Sequence, residues 1–225
     1  MKIGIFTAME KEAKSFIAED CSVEKLGAYT FYKFMLGTNE AVLCVPPTVG
    51  EIAAAAGVQM LVDHFGVEAV FNFGVVGAMT LESSFYRMVY VDKVCHYAMD
   101  TSAIDECEQG YYPYFDGKYV YTDKHLLAKA KKALDLPVAT CASADKFVAD
   151  KDEKHALAQT FGCEICDMES AAIAMVCAFN KLPCLLVKCV ADTLYGGAED
   201  YRTKMDTIMY DFLTVAKQIC ATDID

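Results

Sequence analysis

Basic residues are scarce in this chain of 225 amino acids: Lys and Arg number 20 against 32 Asp and Glu, a formal net charge of -12. Phosphate backbones and anionic membrane surfaces are held by clustered Lys and Arg, so nucleic acid and membranes are not expected partners. A small neutral or positively charged ligand suits this field better. No apolar run approaches the roughly 20 residues that a membrane helix needs. The start, from Met1-Lys2-Ile3-Gly4-Ile5-Phe6 to Glu10, has one basic residue and a short apolar run that Glu10 stops, which does not read as a signal peptide. A cytoplasmic location is expected. Linkers rich in Pro, Gly or Ser and repeat periods are also missing, so residues 1–225 are expected to form a single domain with a frayed acidic end at 221–225.

Several cofactor signatures are absent. The spacing GxGxxG does not occur, and neither Gly4 nor Gly50 completes a phosphate loop with a Lys. The four histidines, His64, His96, His125 and His155, lack ligand spacing. Cys163 and Cys166 have CxxC spacing, but a zinc site would want a second pair or nearby His. The eleven cysteines are odd in number and most sit in apolar runs, so reduced core thiols explain them better than a disulfide framework. No metal and no cofactor is expected.

What is present is an alternation of two periods. β-Branched and aromatic enrichment predicts strands over 2–7, 29–36, 40–45, 69–74, 88–95, 138–143, 164–168 and 184–190. Helices are predicted over 9–19, 51–65, 123–134, 152–160, 170–180 and 204–220. A hairpin-like turn at Gly37-Thr38-Asn39 joins two early strands, and later strands are separated by helices. The fold class expected is α/β: a single three-layer domain with a mixed central β-sheet flanked by helices. Residues 101–118, with Gly110-Tyr111-Tyr112-Pro113-Tyr114-Phe115, show no period and read as a lid or an interface.

Three acids fall just beyond predicted strands: Glu12 after the first, Glu169 within Cys166-Asp167-Met168-Glu169-Ser170-Ala171-Ala172, and Asp192 after the run 183–191. Each alone has a plain explanation, Glu12 on a solvent-facing helix side, Glu169 at a capped helix start and Asp192 as an N-cap. Their recurrence at strand ends suggests one pocket, because ligands of open α/β sheets bind outside the carboxyl ends of strands. Gly74-Val75-Val76-Gly77-Ala78 follows a further strand and reads as a Gly-rich turn where backbone approaches a ligand. Phe147, in Ser143-Ala144-Asp145-Lys146-Phe147-Val148, is either core or a surface for stacking on a flat heterocycle.

In order and spacing, Ala8-Met9-Glu10-Lys11-Glu12, Ser143-Ala144-Asp145-Lys146-Phe147, Met168-Glu169-Ser170-Ala171-Ala172 and Ala191-Asp192 resemble the nucleoside phosphorylase/nucleosidase superfamily over nearly the whole chain. The similarity is greatest to the methylthioadenosine/S-adenosylhomocysteine nucleosidases. The resemblance implies hydrolysis of the N-glycosidic bond of a purine nucleoside, with Asp192 as general acid at N7 and Glu12 orienting or deprotonating water. It implies that Met168 and Glu169 hold the ribose, that Phe147 stacks on the base, that the backbone of Val148 reads the base edge, and that Val75, Gly77 and Lys188 complete the substrate site. A homodimer and a place in methionine salvage are implied as well.

Asn72 stands where the phosphorylases usually carry Arg, which favours water over phosphate as nucleophile. Val75 and Ala191 replace serines usual in the nucleosidases, and Lys188 replaces an Arg, keeping the charge but not the planar fork. The Ser-Gly-x-Gly-Lys turn is replaced by Pro47-Thr48-Val49-Gly50-Glu51. Two alternatives remain open: a phosphate-dependent phosphorylase using Arg87 or Lys188, and a non-catalytic nucleoside-binding homologue.

Overall fold

The computed structural model describes residues 1–17, 20–207 and 212–222. In chain order, the first half comprises β1 (Lys2–Phe6), α1 (Glu10–Ala13), β2 (Ser22–Leu26), β3 (Tyr29–Leu36), β4 (Asn39–Val45), α2 (Glu51–Asp63), β5 (Ala69–Ala78) and β6 (Met88–His96). The second half comprises β7 (Tyr119–Tyr121), α3 (Lys124–Ala133), β8 (Val138–Ser143), α4 (Lys151–Phe161), β9 (Ile165–Asp167), α5 (Ser170–Phe179), β10 (Cys184–Asp192), α6 (Gly197–Thr207) and α7 (Phe212–Ala221).

One mixed sheet runs β2-β3-β4-β1-β5-β10-β6-β8-β9, with β7 added beside β6. β5 lies parallel to both β1 and β10, whereas β10 meets β6 antiparallel. The far end curls back until Cys166 of β9 pairs with Gly77 near the end of β5. The sheet therefore closes on itself in its second half, a feature beyond the expected open layer.

Strand periodicity explains the three layers, since alternate side chains enter opposite faces. Phe6, Val70, Leu186 and Val190 meet α2 and α5 on one face. Ile3, Ile5, Phe71, Phe73, Leu185 and Val187 meet Phe212, Val215 and Ile219 of α7 on the other. Asp123 and Asp150 start α3 and α4 by accepting from backbone N–H groups two and three residues on, as N-cap side chains do.

Several boundaries differ from the sequence expectation. The helix expected over 9–19 stops at Ala13, with 18 and 19 outside the described residues. β2 and β7 were not foreseen: β2 is a mostly exposed edge strand, and β7 is three residues long, so neither shows a sustained buried period. The closing helix expected over 204–220 corresponds to the end of α6 and to α7, with 208–211 outside the described residues, as are 223–225 of the acidic end. Gly74 and Gly77 lie in no turn, because β5 continues through them to Ala78 with β10 as its partner. Residues 101–118 are irregular apart from one short turn of 3-10 helix and are tied down at Tyr112, whose hydroxyl lies 2.5 Å from His96 Nδ1.

Among the described residues no disulfide joins the cysteines, and Cys163 and Cys166 are buried. Burial pushes the Cys166 thiol up to about 12, far from a reactive thiolate. Among the described residues, no helix is long and apolar enough to cross a membrane.

Candidate active site

A cavity of about 240 Å³ opens where β5, β9 and β10 end. Glu12, Val75, Gly77, Phe147, Val148, Met168, Glu169, Lys188 and Asp192 all line it, although they come from five separate parts of the chain. Arg87 is not among the lining residues.

Glu12 sits at the third position of α1 and folds back onto the head of that helix. Its Oε2 accepts from the backbone N–H groups of Ala8 at 2.9 Å and Met9 at 3.1 Å, while Oε1 accepts from Val75 N–H at 3.0 Å. The side chain is buried, not on a solvent-facing helix side. Burial, and then the charge of Glu169, push this carboxyl up to about 7 against the opposing pull of Lys188 and the backbone donors. At neutral pH it is therefore poised to exchange a proton.

Beside it lies an ion pair that the sequence did not disclose. Lys188 Nζ donates to Asp167 Oδ2 at 2.7 Å, and both side chains are buried. Burial works against the Asp167 carboxylate, but Lys188 and the hydroxyls of Ser170 and Ser143 outweigh it and hold the acid below the usual range. Burial also works against the Lys188 ammonium, yet Asp167 leads the interactions that keep it above the usual lysine range. The charge of Lys188 is thus already matched. A Cβ on Gly74 would stand 3.3 Å from Glu12 Oε1 and 3.7 Å from Lys188 Nζ, so the missing side chain leaves a polar space between a carboxyl and a cation.

Glu169 precedes α5 and is buried with its Oε1 accepting from Gly50 N–H at 2.8 Å. Burial, then the negative charge of Asp167, push its carboxyl up to about 7. Asp145, which the sequence offered beside Phe147, serves the neighbouring donor instead: its Oδ1 accepts from Glu51 N–H at 2.6 Å. Two distant carboxylates therefore satisfy the first N–H groups of α2, whose own N-cap position is a glycine without a side chain.

Asp192 closes β10 as a strand residue, so it caps no helix. It is buried against Gly77, where a Cβ would meet its carboxyl oxygens at 2.9 and 3.0 Å. Its Oδ2 is paired with Lys154 of α4. Burial holds the Asp192 carboxyl above the usual range, with Lys154 pulling in the opposite direction. Lys154 gave no signal in the sequence, because it reads as one more charge on an amphipathic helix.

The apolar wall completes the site. Phe147 is 41% exposed, so it is not core, and its ring meets that of Tyr201 at 5.2 Å in an edge-on arrangement. Val148 is buried at the cavity wall, and Met168 is half-buried. Tyr201 of α6 and Met9 were missed; both line the cavity, and the Tyr201 hydroxyl reaches Met9 Sδ at 3.6 Å. No residue of 101–118 lines the cavity, so that loop is no lid over it within this chain.

A sequence model of the phosphorylase superfamily matches residues 2–221. Curated relatives include an aminodeoxyfutalosine nucleosidase from Campylobacter jejuni, 26% identical and covering 88% of this chain and 89% of that protein. A 5'-methylthioadenosine/S-adenosylhomocysteine nucleosidase from Maridesulfovibrio salexigens is 29% identical, covering 92% of this chain and 93% of its own. Among solved structures, the Helicobacter pylori 5'-methylthioadenosine/S-adenosylhomocysteine nucleosidase bound to a pyrrolidine ligand superposes with a TM-score of 0.90 at 23% identity, covering 98% of this chain and 97% of that one. The fold is the same.

Proposed function

The chain belongs to the phosphorylase superfamily, and from that premise we propose that it is a nucleosidase, hydrolysing the N-glycosidic bond of a purine nucleoside such as 5'-methylthioadenosine or S-adenosylhomocysteine. One observation carries the choice of water over phosphate: the cavity holds the buried carboxyl of Glu12, and the charges of its two lysines are already taken. Lys188 is paired with Asp167, and Lys146 with Glu153. Asn72, which also lines the cavity, donates from its amide NH2 to Phe6 C=O at 3.1 Å. An entering phosphate would meet a net negative wall.

In this reading, water sits over Gly74 between Glu12 and Lys188. Glu12 takes a proton from the water as its oxygen attacks the ribosyl carbon. The bond from that carbon to the purine breaks with its electron pair going to the base, and Asp192 delivers a proton to N7. Each proton transfer of this kind contributes about 10²–10⁴-fold. Glu169, held by Gly50, accepts from the ribose hydroxyls while Met168 packs against the sugar. Phe147 stacks on the base, and the backbone of Val148 meets its edge. The ionised form of Glu12 also stabilises positive charge developing on the sugar.

The active form is a homodimer in the cytoplasm. Cysteines that form no disulfide suit a reducing compartment. An exposed aromatic group supports the dimer: Tyr114 and Phe179 are 65% and 51% exposed, and Phe115 stacks on Phe179 at 5.6 Å.

A product assay tests the function. Methylthioadenosine, S-adenosylhomocysteine and aminodeoxyfutalosine, each with and without phosphate, should yield free base without phosphate, and Asp192→Asn should lower the rate by about 10²–10⁴-fold. Ribose 1-phosphate products with an absolute phosphate requirement would show a phosphorylase, and tight binding without turnover a non-catalytic homologue.

A further inference from the structure

Lys154 is a buried charge that the reaction above does not use. It lies in the first turn of α4, is 0% exposed, and donates both to Asp192 Oδ2 and to the backbone C=O of Thr193 at 2.9 Å. Placing an ammonium in a protein interior is strongly unfavourable unless its partners are well aligned, so a solvated helix residue does not end up here by default. The two acceptors are consecutive residues at the end of β10, which fixes the ammonium relative to the strand end. Gly77 sits against the same carboxyl, with no Cβ to push it away. The residue before the acid is Ala191, which has no hydroxyl to orient it.

We propose that Lys154 is the positioning residue of the reaction: it grips Asp192 by Oδ2, leaves Oδ1 to face the purine, and sets how strong an acid Asp192 is. The inference rests on the nucleosidase reading and adds a residue to it. Two opposed influences act on the acid. Burial keeps the proton on Asp192, and the Lys154 charge makes that proton easier to give away. A general acid works best when retention and release are balanced near the operating pH. The other charged or titratable groups facing Asp192 are Asp200, Lys204 and Tyr201 from α6 and Cys166 from β9. Asp200 accepts from the Thr193 hydroxyl at 2.6 Å and lies 3.9 Å from Lys204, so it is bound to its own partners.

The experiment compares the intact wild-type chain with Lys154→Gln, which keeps a neutral donor, Lys154→Met and Lys154→Arg, using methylthioadenosine and reading free adenine from pH 5 to 10. Circular dichroism first establishes that each variant is folded. In Lys154→Gln and Lys154→Met, kcat at pH 7 should fall at least about tenfold. The alkaline limb of kcat/KM, where the acid loses its proton, should move up by about one pH unit or more, since burial then meets only the weaker pull of Lys204. Lys154→Arg should restore the position of the limb. A folded neutral variant with an unmoved limb, or with unchanged kcat, overturns the proposal. So does unfolding of both neutral variants, which would make Lys154 a residue of the fold. If the wild-type chain releases no base from any nucleoside, the nucleosidase reading itself fails; wild-type turnover with an unmoved limb removes the role of Lys154 alone.

Discussion

Glu12 shows how one side chain is given its task by its neighbours. Three backbone N–H groups hold both oxygens, so the carboxyl has little freedom to rotate, and burial removes the water that would ordinarily keep it ionised. The result is a carboxyl pushed up to about 7. The ionised form is the base, so activity is present above that value and is lost as the pH falls through it. We expect kcat/KM to drop by about tenfold per pH unit below about 7, with Glu12→Gln losing about 10²–10⁴-fold at pH 8. A profile that stays flat down to pH 5 would remove Glu12 from the role of base. Lys188 illustrates the converse, since its partner Asp167 converts a candidate phosphate ligand into half of a neutral pair.

At the scale of elements, the junction before α2 is where fold and site share a backbone. Gly50 adopts φ +108°, a conformation that disfavours side chains, and a Cβ there would stand 2.6 Å from Asp145 Oδ1. Its N–H fixes Glu169, the proposed ribose ligand. Gly50→Ala should therefore cost about 1–3 kcal/mol, seen as a melting temperature lower by about 3–10 °C, and KM should rise more than kcat falls. Unchanged melting and KM would show that the junction tolerates a side chain. In β5 the glycines do a different job. Gly77→Ala would press on the Asp192 carboxyl from within the strand, so kcat should fall by more than about tenfold with only a small loss of stability. Wild-type kcat in that variant would show that the carboxyl can be displaced without harm.

For the molecule as a whole, the irregular segment 101–118 packs against the end of α5 and away from the cavity of its own chain. Its exposed Tyr114, together with Phe179, is the surface on which the proposed dimer depends. Analytical ultracentrifugation at micromolar concentration should give twice the chain mass, and Phe179→Asp combined with Tyr114→Asp should give single chains, because charges at the core of an apolar interface are poorly tolerated. A monomeric wild-type chain would dispose of the dimer.

The sequence by itself determined the alternation of strands and helices, the single three-layer mixed sheet and the resemblance that singled out Glu12, Phe147, Met168, Glu169 and Asp192. Those features are local: side-chain period is set by backbone geometry, and a motif is a set of residues in order. Only the tertiary structure decided that β5 runs straight through its glycines, because their smallness serves contacts with Glu12, Lys188 and Asp192 that lie 62 to 115 positions away along the chain. It also decided the partners of the charges. Lys154 and Asp192 are 38 residues apart, Asp167 and Lys188 are 21 apart, and Gly50 meets Glu169 across 119. Ion pairing depends on distance and burial in space, and a one-dimensional string records neither.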